Sequence, residues 1–233
     1  MRISLQPAFL LHRKPYRDSS RIYDFFTLEH GVISVMAKSV WRKEKGGSLA
    51  SLIQPFTPLL ISFVGRASLK TLSKVELADN HKNLTGERIF CALYLNELLL
   101  KLVGRNIPYP ELFGYYSRSL DELKIATYVE EPLRSFELFL LAELGYEIDL
   151  ETDSTGSPIN ECANYLYEPA HGFTKVQSEI FNEGGRYLGR DILKMAKGEF
   201  DQVSAALKRL LRVTLSYHLG EKELQSRSLF PAK

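Results

Sequence analysis

Two hydrophobic periods divide this chain. In its first eighty residues, apolar side chains come in short runs that favour every second position, the period of a half-buried strand. The clearest alternation puts Ile33, Val35 and Ala37 on one face and Ser34, Met36 and Lys38 on the other; residues 59–64 repeat it, with Leu59, Ile61 and Phe63 against Leu60, Ser62 and Val64. Residues 3–11 predict a first strand, broken by His12-Arg13-Lys14-Pro15 because proline cannot donate to a ladder. Residues 21–27, rich in Ile, Tyr and Phe, predict a second, and Glu29-His30-Gly31 a turn in which glycine supplies a positive φ. Strands over 32–38, 59–64 and 69–77 complete five, with a polar loop over 39–48 and a turn at Gly65-Arg66-Ala67. Five short strands with close turn signals predict a small barrel, since closure removes exposed edges.

From Thr85 the period lengthens. Ile89, Phe90, Leu93, Leu98 and Leu102 recur at helical spacing up to Gly104. Pro108 and Pro110 separate that helix from a second, over 111–126, and a third spans 130–144, opening on acids and Pro132 and closing at Gly145. Leu133, Phe136, Leu140 and Leu144 form its apolar stripe, with Arg134 on another face. Residues 149–173 read as irregular, with a weak strand pair near 163–167. Short helices follow near 178–182 and 189–197, then a long one over 201–218, stopped by Gly220. The expected class is α+β: a five-stranded β-barrel over 1–80, then a mainly helical domain over 81–233 with an irregular insert near 149–173.

Composition adds limits. Apolar residues make up 45% and charged residues 25%, enough for a packed core. Cys91 and Cys162 are too few for a disulfide framework or a metal cluster and suit a reducing compartment. The apolar patch 8–11 is too short for a signal peptide, and no apolar run approaches the roughly 18 residues a membrane span needs, so a soluble, cytoplasmic protein is expected. Charge is uneven: residues 1–80 hold twelve Lys/Arg against six Asp/Glu, while acids exceed bases in the remainder. A basic half suggests an anionic partner for it.

Small barrels bind single strands by joining a cationic groove to aromatic stacking faces. Here Arg13, Lys14, Tyr16 and Arg17 follow the first strand, and Lys38, Trp41, Arg42, Lys43 and Lys45 the third; these are the candidate DNA-binding residues. Lys208, Arg209 and Arg212 ride on the last long helix, where cations beside apolar surface suit an acidic, hydrophobic peptide end. No Walker-type phosphate loop, Gly-x-Ser-x-Gly elbow or His-Glu-x-x-His helix occurs, and His12, His30, His81, His171 and His218 are scattered. A non-enzyme without cofactor is expected.

Several stretches, in order, resemble the bacterial recombination mediator family RecO. They include Phe9-Leu10-Leu11-His12, Phe26-Thr27-Leu28-Glu29-His30-Gly31, Val35-Met36-Ala37-Lys38, Gln54-Pro55-Phe56-Thr57-Pro58-Leu59 and Lys70-Thr71-Leu72. In the helical half they are Tyr94-Leu95-Asn96-Glu97-Leu98, Arg134-Ser135-Phe136-Glu137-Leu138, Leu144-Gly145-Tyr146 and Ser226-Arg227-Ser228-Leu229-Phe230. The resemblance implies an oligonucleotide-binding barrel followed by a helical domain. It implies binding of single- and double-stranded DNA, annealing of complementary strands, and loading of RecA with RecR and RecF. The DNA is coated by single-stranded-DNA-binding protein, whose acidic tail docks on the helical domain, at a position that Arg134 matches.

Two departures stand out. Some family members carry a four-cysteine zinc module in the irregular region, where this chain has only Cys162, so zinc is not expected. After Ala37-Lys38 the family has glycine with small and basic residues, whereas this chain has Ser39-Val40-Trp41-Arg42-Lys43, leaving Trp41 as a stacking candidate. Two other classes stay open: a protein-binding adaptor whose barrel carries no DNA, and an enzyme on nucleic acid whose acids assemble only in three dimensions.

Overall fold

Alternating apolar residues close the first part of the chain on itself. Strands β1 (Arg2–Tyr16), β2 (Ser20–Thr27) and β3 (Gly31–Ala37) form an antiparallel meander. A two-residue pair, β4 (Lys43–Glu44) with β5 (Gly47–Ser48), and one helical turn, α1 (Leu49–Leu52), lead to β6 (Leu59–Val64) and β7 (Leu69–Leu77). β6 pairs with β1 and β7, β7 runs parallel to β3, and the order β1-β2-β3-β7-β6 is a closed five-stranded barrel. The computed structural model describes residues 2–16, 20–38, 43–44, 47–78, 84–176 and 185–229.

The barrel core is the odd-numbered face of β2 and β3, Tyr23, Phe25, Ile33 and Val35, meeting Leu59, Ile61 and Phe63 of β6. Each such side chain contributes about 1.5–3 kcal/mol by leaving water. β1 runs on through Pro15, which lies opposite Arg21, rather than breaking at residue 12. The reason lies in its pairing. β1 meets β6 only as far as Ala8 and bridges Pro55 at Leu10, so by Pro15 its one described strand partner is β2, and a proline is tolerated there as on an edge. A register shift between Leu10 and His12 then swaps the faces: Ala8 and Leu10 point inward before it, and Arg13 lies opposite buried Tyr23 after it.

The outer face of β1 and β2 near Phe9 and Phe26 is covered by two helices, α2 (Glu87–Leu102) and α3 (Pro110–Ile125). Phe9 packs its ring on Phe113 and Tyr116 at 5.4 and 5.1 Å, and Phe26 meets Phe113 at 5.5 Å. Proline opens α3, where its missing N–H costs nothing. The chain divides into two compact units, Met1–Thr127 with Glu223–Lys233, and Tyr128–Lys222. In the first, Glu97 of α2 receives the closing 3-10 turn, Gln225–Leu229.

The second unit contains α4 (Glu130–Glu143), strands β8 (Asn164–Glu168), β9 (Gly172–Val176) and β10 (Arg186–Leu188), then α5 (Gly189–Ala196) and α6 (Phe200–Leu219). The weak strand pair expected near 163–167 is a three-stranded sheet in the order β10-β8-β9. Its third strand escapes the sequence pattern because it is three residues long. Buried Tyr165, Phe173 and Tyr187 hold the sheet together by edge-to-face contacts. Arg134, set apart from the apolar stripe, is nonetheless only 12% exposed at its side chain, with its guanidinium paired to the fully buried Glu137. The helix expected near 178–182 lies outside the described residues.

Candidate nucleic-acid interface

Beyond the helices the ladder arranges the outer-face side chains of β1, β2 and β3 in rows, exposed along β1 and at Lys38 and buried at Asp24 and Ile22 between them. His12 lies opposite Asp24, and Asp24 opposite Ser34. The next row holds Lys14, Ile22 and Met36, and the last Tyr16 and Ser20, with Lys38 one residue past β3. Lys14 and Lys38 are exposed, and Tyr16 and Met36 half-buried. Alternate residues of a strand lie about 6.6 Å apart, so these rows span about 13 Å of cationic and apolar surface.

Strand alternation separates residues that the sequence placed together. Arg13 lies opposite Tyr23 and Lys14 opposite Ile22, so the two basic side chains leave opposite faces of β1. Burial pushes the Tyr23 phenol up, opposed by the charges of Arg21 and Arg13, the latter directly opposite it in the ladder. Lys14 and Tyr16 share the open face. Of the other candidates, Lys43 pairs through its backbone with Ser48, and Arg17, Trp41, Arg42 and Lys45 lie outside the described residues.

One end of the face carries a cluster absent from the sequence reading. Asp24 Oδ1 accepts from Ser34 Oγ at 2.5 Å and from Arg105 Nη1 at 3.0 Å, and Arg105 Nη1 also donates to Ser34 Oγ at 2.7 Å. His12 Nδ1 stands 3.7 Å from Asp24 Oδ2. Arg105 comes from the segment after α2, seventy-one positions from Ser34, so spacing along the chain carries no signal of it.

In the second unit Arg134 and Glu137 form an ion pair one helical turn apart, and the Arg134 Nε is buried without a hydrogen-bond partner. Lys208, Arg209 and Arg212 are exposed on α6. The Arg209 guanidinium sits 5.4 Å over the Tyr187 ring and donates to the Arg186 carbonyl at 3.2 Å. Val213 and Tyr217 continue its line along the helix and are 41% and 57% exposed, an apolar strip headed by a cation.

Residues 1–81 match the family model described as Recombination protein O N terminal, and residues 83–228 the model described as Recombination protein O C terminal. The chain belongs to the RecO family. It is 43% identical over 232 residues to the DNA repair protein RecO of Nitrosococcus oceani, covering 98% of this chain and 93% of that one. It is 42% identical over 225 residues to its namesake from Pseudoalteromonas atlantica, covering 96% and 92% of the two chains. With that of Haemophilus influenzae (strain 86-028NP) it shares 38% over 233 residues, covering 99% and 97%.

Three of the stretches that resemble RecO fall at joints of this fold. Phe9-Leu10-Leu11-His12 contains the register shift of β1, and Glu29-His30-Gly31 is the turn into β3. Asn96 and Glu97, adjacent on α2, fasten the barrel and the closing turn respectively. No group of three His, Cys, Asp or Glu placed to hold a metal occurs among the described residues. No described helix of this RecO-family chain is long and apolar enough to cross a membrane.

Proposed function

We propose that this chain is a non-catalytic mediator that binds single- and double-stranded DNA on the open face of β1, β2 and β3. It anneals complementary strands there and, with RecR and RecF, helps load RecA onto DNA coated by single-stranded-DNA-binding protein. The broad role, DNA repair and recombination, follows from membership of the RecO family. The observation that carries the DNA-binding part is the exposed pair Lys14 and Lys38, which flank the half-buried Tyr16 and Met36 on one face of a strand meander. Ammonium groups would neutralise phosphates and release their counterions, and the ring would stack a base for about 1–3 kcal/mol. The acidic tail of single-stranded-DNA-binding protein would dock on the second unit. The exposed Lys208, Arg209 and Arg212 beside Val213 and Tyr217, and the unpartnered Nε of Arg134, support that reading.

The test is fluorescence anisotropy of a labelled single-stranded oligonucleotide titrated with the full chain at several salt concentrations. Log affinity should fall linearly with log salt, at about −0.7 per neutralised phosphate. Quenching between complementary labelled strands then reports annealing. Absence of binding even at low salt would sink the barrel as a DNA surface and leave the adaptor role.

A further inference from the structure

We infer that Arg105, delivered to the barrel face from the end of α2, is a phosphate-binding residue oriented by Asp24 and Ser34, marking one end of a nucleic-acid track. The inference rests on the open strand face being the DNA surface. A guanidinium has five N–H donors in a flat fork, and here Nη1 alone is engaged among the described residues, by Asp24 and Ser34. The side chain is 50% exposed, so Nε and Nη2 are left for a ligand, while the Asp24 side chain beneath it is 7% exposed. A fork held on one edge and open on the other suits a phosphate oxygen pair.

The backbone that carries Arg105 is seated without help from its guanidinium. Arg105 forms a parallel bridge with Val32, and the Asn106 amide donates to the Val32 carbonyl at 3.0 Å. Lys70 Nζ donates to Asn106 Oδ1 at 2.7 Å, and Ile107 presses its carbonyl against Gly31. The fork is therefore preorganised, and ordering it on binding costs little.

Its row adjoins the row of Lys14 and Met36, so a strand running along β1 would meet Arg105 and His12 first and Lys38 last. Asp24 cancels much of the long-range field of Arg105. Its contribution is thus short-range hydrogen bonding to the backbone, indifferent to base sequence.

The experiment compares the full chain with R105Q, R105K and the double variant K14Q/K38Q, by anisotropy on oligo-dT and on a mixed-sequence strand. Thermal melts serve as the fold control. R105Q should lose about tenfold in affinity, equally on both strands, with a salt slope shallower by up to about 0.7. R105K keeps a cation for Asp24 and gives up the fork, so it should fold and still bind several-fold more weakly. Wild-type affinity in R105K, or a lowered melting point in R105Q with unchanged affinity, would overturn the assignment and make Arg105 a structural partner of Asp24. If R105Q binds normally while K14Q/K38Q fails, the strand face survives and only Arg105 leaves it. No salt-dependent binding by the unmodified chain would overturn the face itself.

Discussion

Tyr116 donates its hydroxyl hydrogen to Asn96 Oδ1, and both side chains are buried where two helices meet the barrel. The Asn96 amide spends its own donors on the carbonyls of Leu10 and Leu11, at 3.1 and 3.2 Å, where β1 shifts register. One side chain of α2, itself held by one of α3, thus satisfies two backbone carbonyls at the shift. Burial drives the Tyr116 phenol far above its usual range, so it remains a donor. Asn96→Leu strands two carbonyls and the phenol, and should cost about 2–4 kcal/mol; Tyr116→Phe strands one amide oxygen, at about 1–2 kcal/mol. Urea unfolding of both variants checks the order, and equal losses would show that the shift is held by ring packing instead.

Gly31 makes a second joint. Its φ is +60°, and a Cβ built on it would lie 1.8 Å from the Ile107 carbonyl oxygen, a backbone atom that cannot step aside. Gly31→Ala should therefore cost about 3 kcal/mol or more, the strain of the left-handed region added to a steric clash. Because Ile107 follows Arg105 by two residues, the same variant should weaken DNA binding at temperatures where it is still folded. A melting point within a degree of wild type would mean the 104–107 segment lifts away easily.

How much of this was legible beforehand follows from the range of each interaction. Alternation at Ile33, Val35 and Ala37 or at Leu59, Ile61 and Phe63 is local and marked the barrel strands correctly. The extension of β1 through Pro15 was not, because whether proline is tolerated depends on β6 ending its pairing at Ala8, far along the chain. Lys14 and Tyr16 were candidates from the sequence, but the face each occupies is set by a register shift that no spacing reveals. Arg105 was invisible because its partners Asp24 and Ser34 lie on strands far away in the sequence.

Glu97 holds the closing 3-10 turn. Its carboxylate accepts from the Ser226 amide at 2.8 Å, from Ser226 Oγ at 2.6 Å and from the Gln225 amide at 3.0 Å, and pairs with Lys101 at 2.9 Å. Burial opposes its charge, but these hydrogen bonds outweigh burial and hold it at about 2. A carboxyl depressed in the folded state binds protons more weakly there than in the unfolded chain. Its contribution is therefore full above about 4.5 and drains away as pH falls toward about 2. Glu97→Gln should cost about 1.5–3 kcal/mol at neutral pH and flatten the acid limb of the stability profile. It should also expose the closing turn to carboxypeptidase. An unchanged acid limb would place the acid sensitivity elsewhere.

The candidate tail-docking arginine calls for a different variant from the obvious one. Glu137 is fully buried, and Arg134 is its ion partner in the turn before it. Arg134→Ala removes that partner, and breaking such a pair typically costs about 3–5 kcal/mol. A loss of peptide binding in it would then report unfolding as readily as recognition. Arg134→Lys keeps a charge for Glu137 while removing the Nε, the atom that is buried without a hydrogen-bond partner. If this nitrogen awaits a carboxylate, Arg134→Lys should bind an acidic tail peptide about tenfold more weakly, with its melt and its DNA salt slope little changed. Calorimetric titration of the peptide measures this directly. Wild-type affinity would make Arg134 a structural partner of Glu137 and move the docking site to α6, where a triple Lys208, Arg209 and Arg212 to Gln variant should then abolish binding.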